Sequence, residues 1–328
     1  PLDKLNSINS IFIFRDRKII FMSDCISDSS LETTKNLENG SVVLLENLRF
    51  YKEEELGDKD FASKLANHAD VYVNDAFGTA HRAHASTSII ADYFPNDKMF
   101  GILIENEILS VDKVLNSNSH PLTAIVGGAK VSSKITIMSK LIDKVDHLII
   151  GGGMAYTFIK AQNGSIGKSI VEDQYLDLAL EILQEAKDKG VHIHLPSDSL
   201  CCKDFSNDLP IHVRQINQIP ENEMGLDIGP DSIKAFNEVI VNSSLILWNG
   251  PMGVFEMSNF QNGTGSIAHS IVKATENNAF SLIGGGDSVA AINLFNLGNK
   301  VSHVSTGGGA MLEYLEGKQL PGIEAINN

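Results

Sequence analysis

The run SLIGGGDSVAA, residues 281–291, sets three glycines, an acid and a hydroxyl between an apolar segment and a pair of alanines. Glycines let a strand turn tightly into a helix and let a ligand approach bare backbone N–H groups, while a helix N-terminus carries about half a positive charge. Such a turn suits an anion. Asp287 would repel that anion unless a cation lay between them, so the pattern fits a metal–phosphate complex; a tight turn with Asp287 as helix N-cap is the plainer alternative. The pattern recurs at Gly151–Gly153 and Gly307–Gly309, with a glycine pair at Gly127–Gly128, and each cluster follows a short apolar segment. One edge of a sheet is lined with glycine.

Other residues could share that surface. In GGAKVSSKI, Lys130 and Lys134 stand four apart after a glycine turn. On a helix that spacing aims both ammonium groups at one polyphosphate chain, although a solvated lysine face is the ordinary alternative. LILWNGPMGVFE ends a strand in Asn249, Pro251 and Glu256; Asn and Glu offer the donor and acceptor that a ribose or base edge requires, whereas an isolated Asn-Gly turn would need no ligand. Arg49 in LLENLRF and Arg82 in NDAFGTAHRAHAS fall at the ends of two early strands. Arginine forks grip phosphate or carboxylate bidentately, against the commoner fate of a salt bridge. His81 and His84 could act as bases but read better as structural. His192 and His194 alternate on one strand face with no third ligand spaced to join them, so they too read as structural. The GKS at Gly167–Ser169 has Gln162 where a Walker loop needs its first glycine.

These groups need elements to position them. The 328 residues suit two domains better than one, and 43% hydrophobic residues can build sizeable cores. A net charge of −15 argues against a general nucleic-acid surface. Cys25 and the adjacent Cys201 and Cys202 show neither a CxxC spacing nor an even disulfide framework. No apolar run is long enough to span a membrane and no secretory leader opens the chain, so a soluble cytoplasmic protein is expected. Short apolar runs alternate with helical patterns, which implies parallel sheets with crossover helices. In GILIENEILSVDKVL, Ile104, Ile108, Val111 and Leu115 share a helical face, predicting a helix between two domains. DQYLDLALEILQEAKDKG predicts a second helix packed through Leu176, Ala179, Leu183 and Ala186 and ended by Gly190.

Taken in order, ENLRF, NDAFGTAHRAH, GGAKVSSKI, IIGGGMAYTF, GLDIGP, LWNGPMGVFE, GGGDSVAA and STGGGAMLEYLEGKQLPGI resemble the phosphoglycerate kinase family from about Cys25 to the C-terminus. The resemblance implies an α/β protein of two Rossmann-like domains with parallel sheets joined by a helix. Residues 1–100 would form a 3-phosphoglycerate-binding domain, 101–118 the interdomain helix, 119–310 the nucleotide-binding domain, and 311–328 a tail returning to the first. It implies phosphoryl transfer between 1,3-bisphosphoglycerate and ADP, giving 3-phosphoglycerate and Mg-ATP, by a cytoplasmic monomer that binds neither nucleic acid nor membrane. Lys130 would steady the transferred phosphoryl, with Gly285 and Gly286 presenting backbone N–H groups. Lys134 would hold nucleotide phosphates and Asp287 Mg²⁺, with Ser288 where the family more often has Thr. Gly128, Ala129, Gly152, Gly153, Gly225, Leu226, Asn249, Pro251, Val254 and Glu256 would form the nucleotide pocket. Thr306, Gly307, Gly308 and Gly309 would serve phosphate and hinge, and Arg49 and Arg82 the phosphoglycerate.

The departures lie at the start. Residues 1–24 hold no Arg-Val-Asp-Phe-Asn-like or Ser-His-Leu-Gly-Arg-like motif, so the first domain is expected to be incomplete, most of its basic clamp absent and the chain a poor kinase. A catalytically silent nucleotide-binding protein is the second reading. A dinucleotide-dependent oxidoreductase is disfavoured because the glycines are contiguous instead of spaced as GxGxxG.

Overall fold

Runs of two to five residues, most of them rich in Val, Ile and Leu, become strands, as their fit to a pleated, half-buried surface favours. The computed structural model describes residues 19–328, so PLDKLNSINSIFIFRDR lies outside the described residues. Two compact units form, one taking the chain up to Glu105 together with Gln319–Asn328, the other Asn106–Lys318.

In the first unit, β1 (Ile19–Met22) pairs in parallel with β2 (Val42–Leu45), and β3 (Tyr72–Asn74) with β4 (Lys98–Phe100). Phe61 and Leu65 of the helix Lys59–Ala66 pack with Cys25, Ala85, Ile90 and Phe94. The closing helix Pro321–Asn327 is fastened here: Gly322 N–H donates to Ala80 O at 2.8 Å, and Asn74 Nδ2 donates to Gly322 O at 3.1 Å.

The second unit contains β5 (Leu122–Val126), β6 (His147–Ile150), β7 (Ser165–Ile166), β8 (His192–His194), β9 (Asp198–Cys202), β10 (His212–Gln215), β11 (Gln218–Ile219), β12 (Met224–Ile228), β13 (Leu245–Asn249), β14 (Phe280–Ile283) and β15 (His303–Val304). Six of them form a parallel sheet in the order β15-β14-β13-β5-β6-β8. Its four central strands are buried on both faces and the edge strands β8 and β15 only partly: Ile125, Ile149, Trp248 and Ile283 pack with Phe236 and Ile240 of the helix Pro230–Val241 and Ile267 and Ile271 of the helix Asn262–Glu276. One departure from an all-parallel reading is the antiparallel sheet β10-β9-β12. DSLCC and MGLDI are buried almost as fully as the central parallel strands, although each carries an aspartate, and direction is set by their connections rather than composition.

Two helices differ in detail from their periodicity. In Ile102–Leu115 the buried positions are Ile104, Glu107, Val111 and Val114, so Glu107 takes a place on the stripe and Ile108 and Leu115 are only half-buried. Glu107 can be buried because His303 and Thr306 satisfy its carboxylate, as described below. In Leu176–Asp188, Ile182 is buried in place of Leu183, and Gly190 adopts φ +74° just past the end.

Candidate functional site

Numbered along the second unit, the central sheet runs outward from β5 through β6 to β8 on one side and from β13 through β14 to β15 on the other. The order reverses between β5 and β13, and ligands of open α/β sheets bind beyond the carboxyl ends of strands at such a point. Val126 is in register with both Ile150 and Asn249, so β5, β6 and β13 end at one level and their loops emerge side by side. Backbone bonds join the loops: Gly128 N–H to Pro251 O at 3.0 Å, Gly152 N–H to Met252 O at 3.1 Å, and Met154 N–H to Gly128 O at 3.0 Å.

Two cavities open there. The larger, about 720 Å³, is lined by Gly128, Ala129, Gly152, Gly153, Gly225, Leu226, Pro251, Val254 and Glu256 among others. The smaller, about 290 Å³, is lined by Lys130, Lys134, Asn249, Gly285, Gly286 and Ser288 among others. Gly128, Ala129 and Asp287 line both. An apolar chamber thus adjoins a polar one edged with lysine and glycine.

The lysines reach the smaller chamber by a route that helical spacing does not describe. The helix begins at Ile135, and Lys130–Lys134 is a turn. Glu172 holds that turn, accepting from Ser132 N–H at 2.9 Å and Ser132 Oγ at 2.7 Å, while Val131 is fully buried beneath. Lys134 Nζ donates to Asn249 Oδ1, and Asn249 Nδ2 donates to Gly284 O at 3.0 Å. Asn249 therefore lines the lysine side, and only Glu256 of the expected ribose pair lines the larger chamber. Burial pulls the Lys134 ammonium below its usual range, and the charge of Asp287 acts against that.

Gly285 is the N-cap of the helix Gly286–Leu294, so Asp287 lies within the first turn and the capping alternative fails. Gly285 has φ +86°, and a Cβ there would stand 2.6 Å from Asn249 Nδ2. Asp287 is exposed, and its carboxylate accepts no hydrogen bond among the described residues. Ser288 Oγ is buried and accepts from Gly250 N–H at 2.5 Å, binding the β13 loop to this helix.

Thr306, Gly307, Gly308 and Gly309 do not line either chamber. Instead Thr306 donates through N–H and Oγ1 to Glu107 Oε1 at 2.6 and 2.7 Å, and His303 Nε2 lies 3.0 Å from Glu107 Oε2. Burial would raise the Glu107 carboxyl, but those bonds outweigh it and hold it below the usual range. In the first unit Arg49 lines a separate cavity of about 320 Å³ with Asn47, Asn74 and Ser86. Arg82 is absent from that lining; it is exposed, and its Nε donates to His81 Nε2 at 3.3 Å. His84 is buried. His192 and His194 meet His147, the last two 3.1 Å apart, and no group of three His, Cys, Asp or Glu able to hold a metal exists among the described residues.

Sequence reasoning missed Tyr156, Lys168, Ile170, Phe205, Met224, Met252 and Met257, which also line the larger chamber. Phe205 is 63% exposed, a large apolar surface facing an opening, but its loop, KDFSND, has no local signal of that. Asp227 was also missed. Burial pushes its carboxyl up to about 7 although Gly263 and Ile228 N–H donate to it at 2.7 and 2.9 Å.

The family model described as phosphoglycerate kinase matches residues 5–318. The chain belongs to the phosphoglycerate kinase family. The match starts upstream of Cys25, where the motif resemblance begins. A phosphoglycerate kinase of Porphyromonas gingivalis is 53% identical over 94% of this chain and 79% of its own length. One of Borreliella burgdorferi is 48% identical over 94% and 77%. Among solved structures, the Coxiella burnetii phosphoglycerate kinase superposes with a TM-score of 0.85 at 40% identity, covering 94% of this chain and 77% of the other. That of Pyrococcus horikoshii superposes with a TM-score of 0.83 at 29% identity, covering 99% and 82%. Family and neighbours agree with the α/β reading of two Rossmann-like domains.

Proposed function

We propose that this chain works as a phosphoglycerate kinase, transferring phosphate reversibly between 1,3-bisphosphoglycerate and ADP as a glycolytic step. The observation that carries the reading is the pair of adjoining chambers at the β5/β13 reversal, one apolar and one edged by Lys130, Lys134 and the Gly285–Gly286 turn. A nucleoside fits the first and its phosphates the second, with Glu256 at the ribose.

In the ATP-consuming direction the nucleophile is a carboxylate, with a pKa of about 3.5 and so already ionised at neutral pH. No general base is required, in keeping with linings that contain no histidine. What remains is alignment and positive charge around the transferring phosphoryl oxygens. Lys130 supplies charge from an exposed position, Lys134 from a partly buried one, and the backbone N–H groups of Gly285 and Gly286 complete the anion cradle. Mg²⁺ is usually held by one or two carboxylates plus substrate phosphates, so a lone, unbonded Asp287 beside that cradle fits the ion better than a protein cage would. Bound with the nucleotide, Mg²⁺ would neutralise phosphate charge.

Arg49 and Arg82 are assigned to the phosphoglycerate, and Thr306 to Gly309 to phosphate and hinge. Residues 1–100 and 119–310 would be the phosphoglycerate and nucleotide domains. No helix among the described residues is long and apolar enough to cross a membrane, in accord with a cytoplasmic enzyme, for which a monomer is proposed. A coupled assay of ADP formation from ATP, Mg²⁺ and 3-phosphoglycerate tests the reading. Turnover that depends on 3-phosphoglycerate is expected, slow beside the about 1–100 s⁻¹ typical of kinases because Arg49 and Arg82 are the only arginines assigned to the substrate; nucleotide binding without 3-phosphoglycerate-dependent turnover would refute it in favour of a silent binding protein.

A further inference from the structure

The helix Lys52–Leu56 follows directly on the turn Leu48–Phe50 that carries Arg49. Its Glu54 is 3% exposed. A carboxylate taken out of water is costly unless hydrogen bonds replace the lost hydration. Here one residue of another segment supplies them: Glu54 Oε2 accepts from Ser86 N–H at 3.0 Å, and Oε1 accepts from Ser86 Oγ at 2.6 Å. The Glu54 carbonyl accepts from Ala85 N–H at 2.9 Å. Gly57 ends the helix at φ +64°, where a Cβ would stand 2.5 Å from Ala83 O. The backbone from Ala83 to Ser86, immediately after Arg82, is thus fastened to the helix that follows Arg49.

Glu54 and Arg49 line the same cavity, yet they are not paired. Both carboxylate oxygens are taken by Ser86, with His84 Nδ1 of the same loop 3.9 Å from Oε1, and neither Arg49 nor Arg82 forms an ion pair with an acid among the described residues. A nearby carboxylate that bonded either arginine would compete with an anionic substrate; this one is turned to the loop instead. We propose that Glu54 is a positioning residue for the phosphoglycerate, fixing the Arg82 loop against the Arg49 turn so that both guanidinium groups are presented in a set arrangement. The inference rests on the assignment of those arginines under the proposed function.

The test uses the full chain and its Glu54→Gln and Ser86→Ala variants, each titrated calorimetrically with 3-phosphoglycerate and, separately, with Mg-ADP. Misplacement of a binding group by about 1 Å can cost up to about 10²-fold. Glu54→Gln is therefore expected to raise the Kd for 3-phosphoglycerate by about tenfold or more, Ser86→Ala by less, and neither to change the Kd for Mg-ADP. In an Arg49→Ala background, Glu54→Gln should cost less than it does alone, because one of the two presented groups is gone. Unchanged 3-phosphoglycerate binding by both variants overturns the positioning role, as does equal weakening of both ligands, which marks a merely structural residue. If Glu54→Gln does not fold, Ser86→Ala decides by the same ratio. A parent chain that does not bind 3-phosphoglycerate at all overturns the substrate assignment itself, a distinct outcome.

Discussion

Replacing Asp287 with asparagine removes one charge and almost nothing else. The side chain is exposed in the first turn of the helix Gly286–Leu294, it accepts no hydrogen bond among the described residues, and Gly285 is the cap. Its contribution to folding is that of an acid near a helix N-terminus, about 0.3–1 kcal/mol, and exposure puts it at the low end. Its expected contribution to transfer is much larger, because loss of a preorganised charge contact at a reacting centre costs on the order of 10²–10³ in rate, about 2.7–4 kcal/mol. A second effect runs through Lys134, whose ammonium is lowered by burial and supported by Asp287; the variant should lower it further. Initial rates should be measured against Mg²⁺ at fixed ATP and 3-phosphoglycerate, beside guanidinium unfolding of both proteins. The expected result is saturation at higher Mg²⁺ with a lower plateau and nearly unchanged stability. A magnesium curve that superimposes on the parent's would refute the assignment, leaving Asp287 with only its helix-dipole role.

On its proposed assignment to the transferring phosphoryl, Lys130→Met should lower kcat by about 10²–10³ while nucleotide affinity changes little; an unaltered kcat with raised nucleotide KM would move Lys130 to ground-state binding. Gly285→Ala should destabilise the protein by about 1–3 kcal/mol, since it combines a left-handed backbone with a clash on Asn249; an unfolding midpoint equal to the parent's would show that the loop relaxes freely. Burial, then the neighbouring His147 and His192, lower His194 to about 4, against about 6.5 unfolded. The unfolded chain therefore binds the proton first, and the stability held by neutral His194 is full above pH 6.5 and lost as pH falls toward 4. The unfolding midpoint of the parent minus that of His194→Gln isolates this group from Asp227, which titrates with the opposite sign, and the difference should shrink across that window; a constant difference would contradict it.

Much of this protein is decided locally. Glycine after an apolar run is the only economical way to leave a strand at once and leave backbone N–H groups bare, so the loops after β5, β6, β13 and β14 are readable one by one. The recurrence of acid, lysine and glycine beside them is the local pattern from which a metal–phosphate ligand is expected. The tertiary structure alone decides which of these groups meet. Asn249 reads locally as a ribose partner, yet the parallel pairing of β13 with β5 sets it against Lys134, far away in sequence. Lys130 and Lys134 share a chamber because Glu172 anchors a turn, where spacing alone suggests a helix. Glu107 sits at a buried helical position that periodicity would give to an apolar side chain, because Thr306 and His303 arrive from the other end of the unit to satisfy it. Glu54 is one of three consecutive glutamates in KEEEL, and nothing in that run marks the one that is buried. Backbone conformation and hydrophobic period are properties of neighbouring residues, whereas the satisfaction of a buried charge depends on groups that only the folded chain brings within 3 Å.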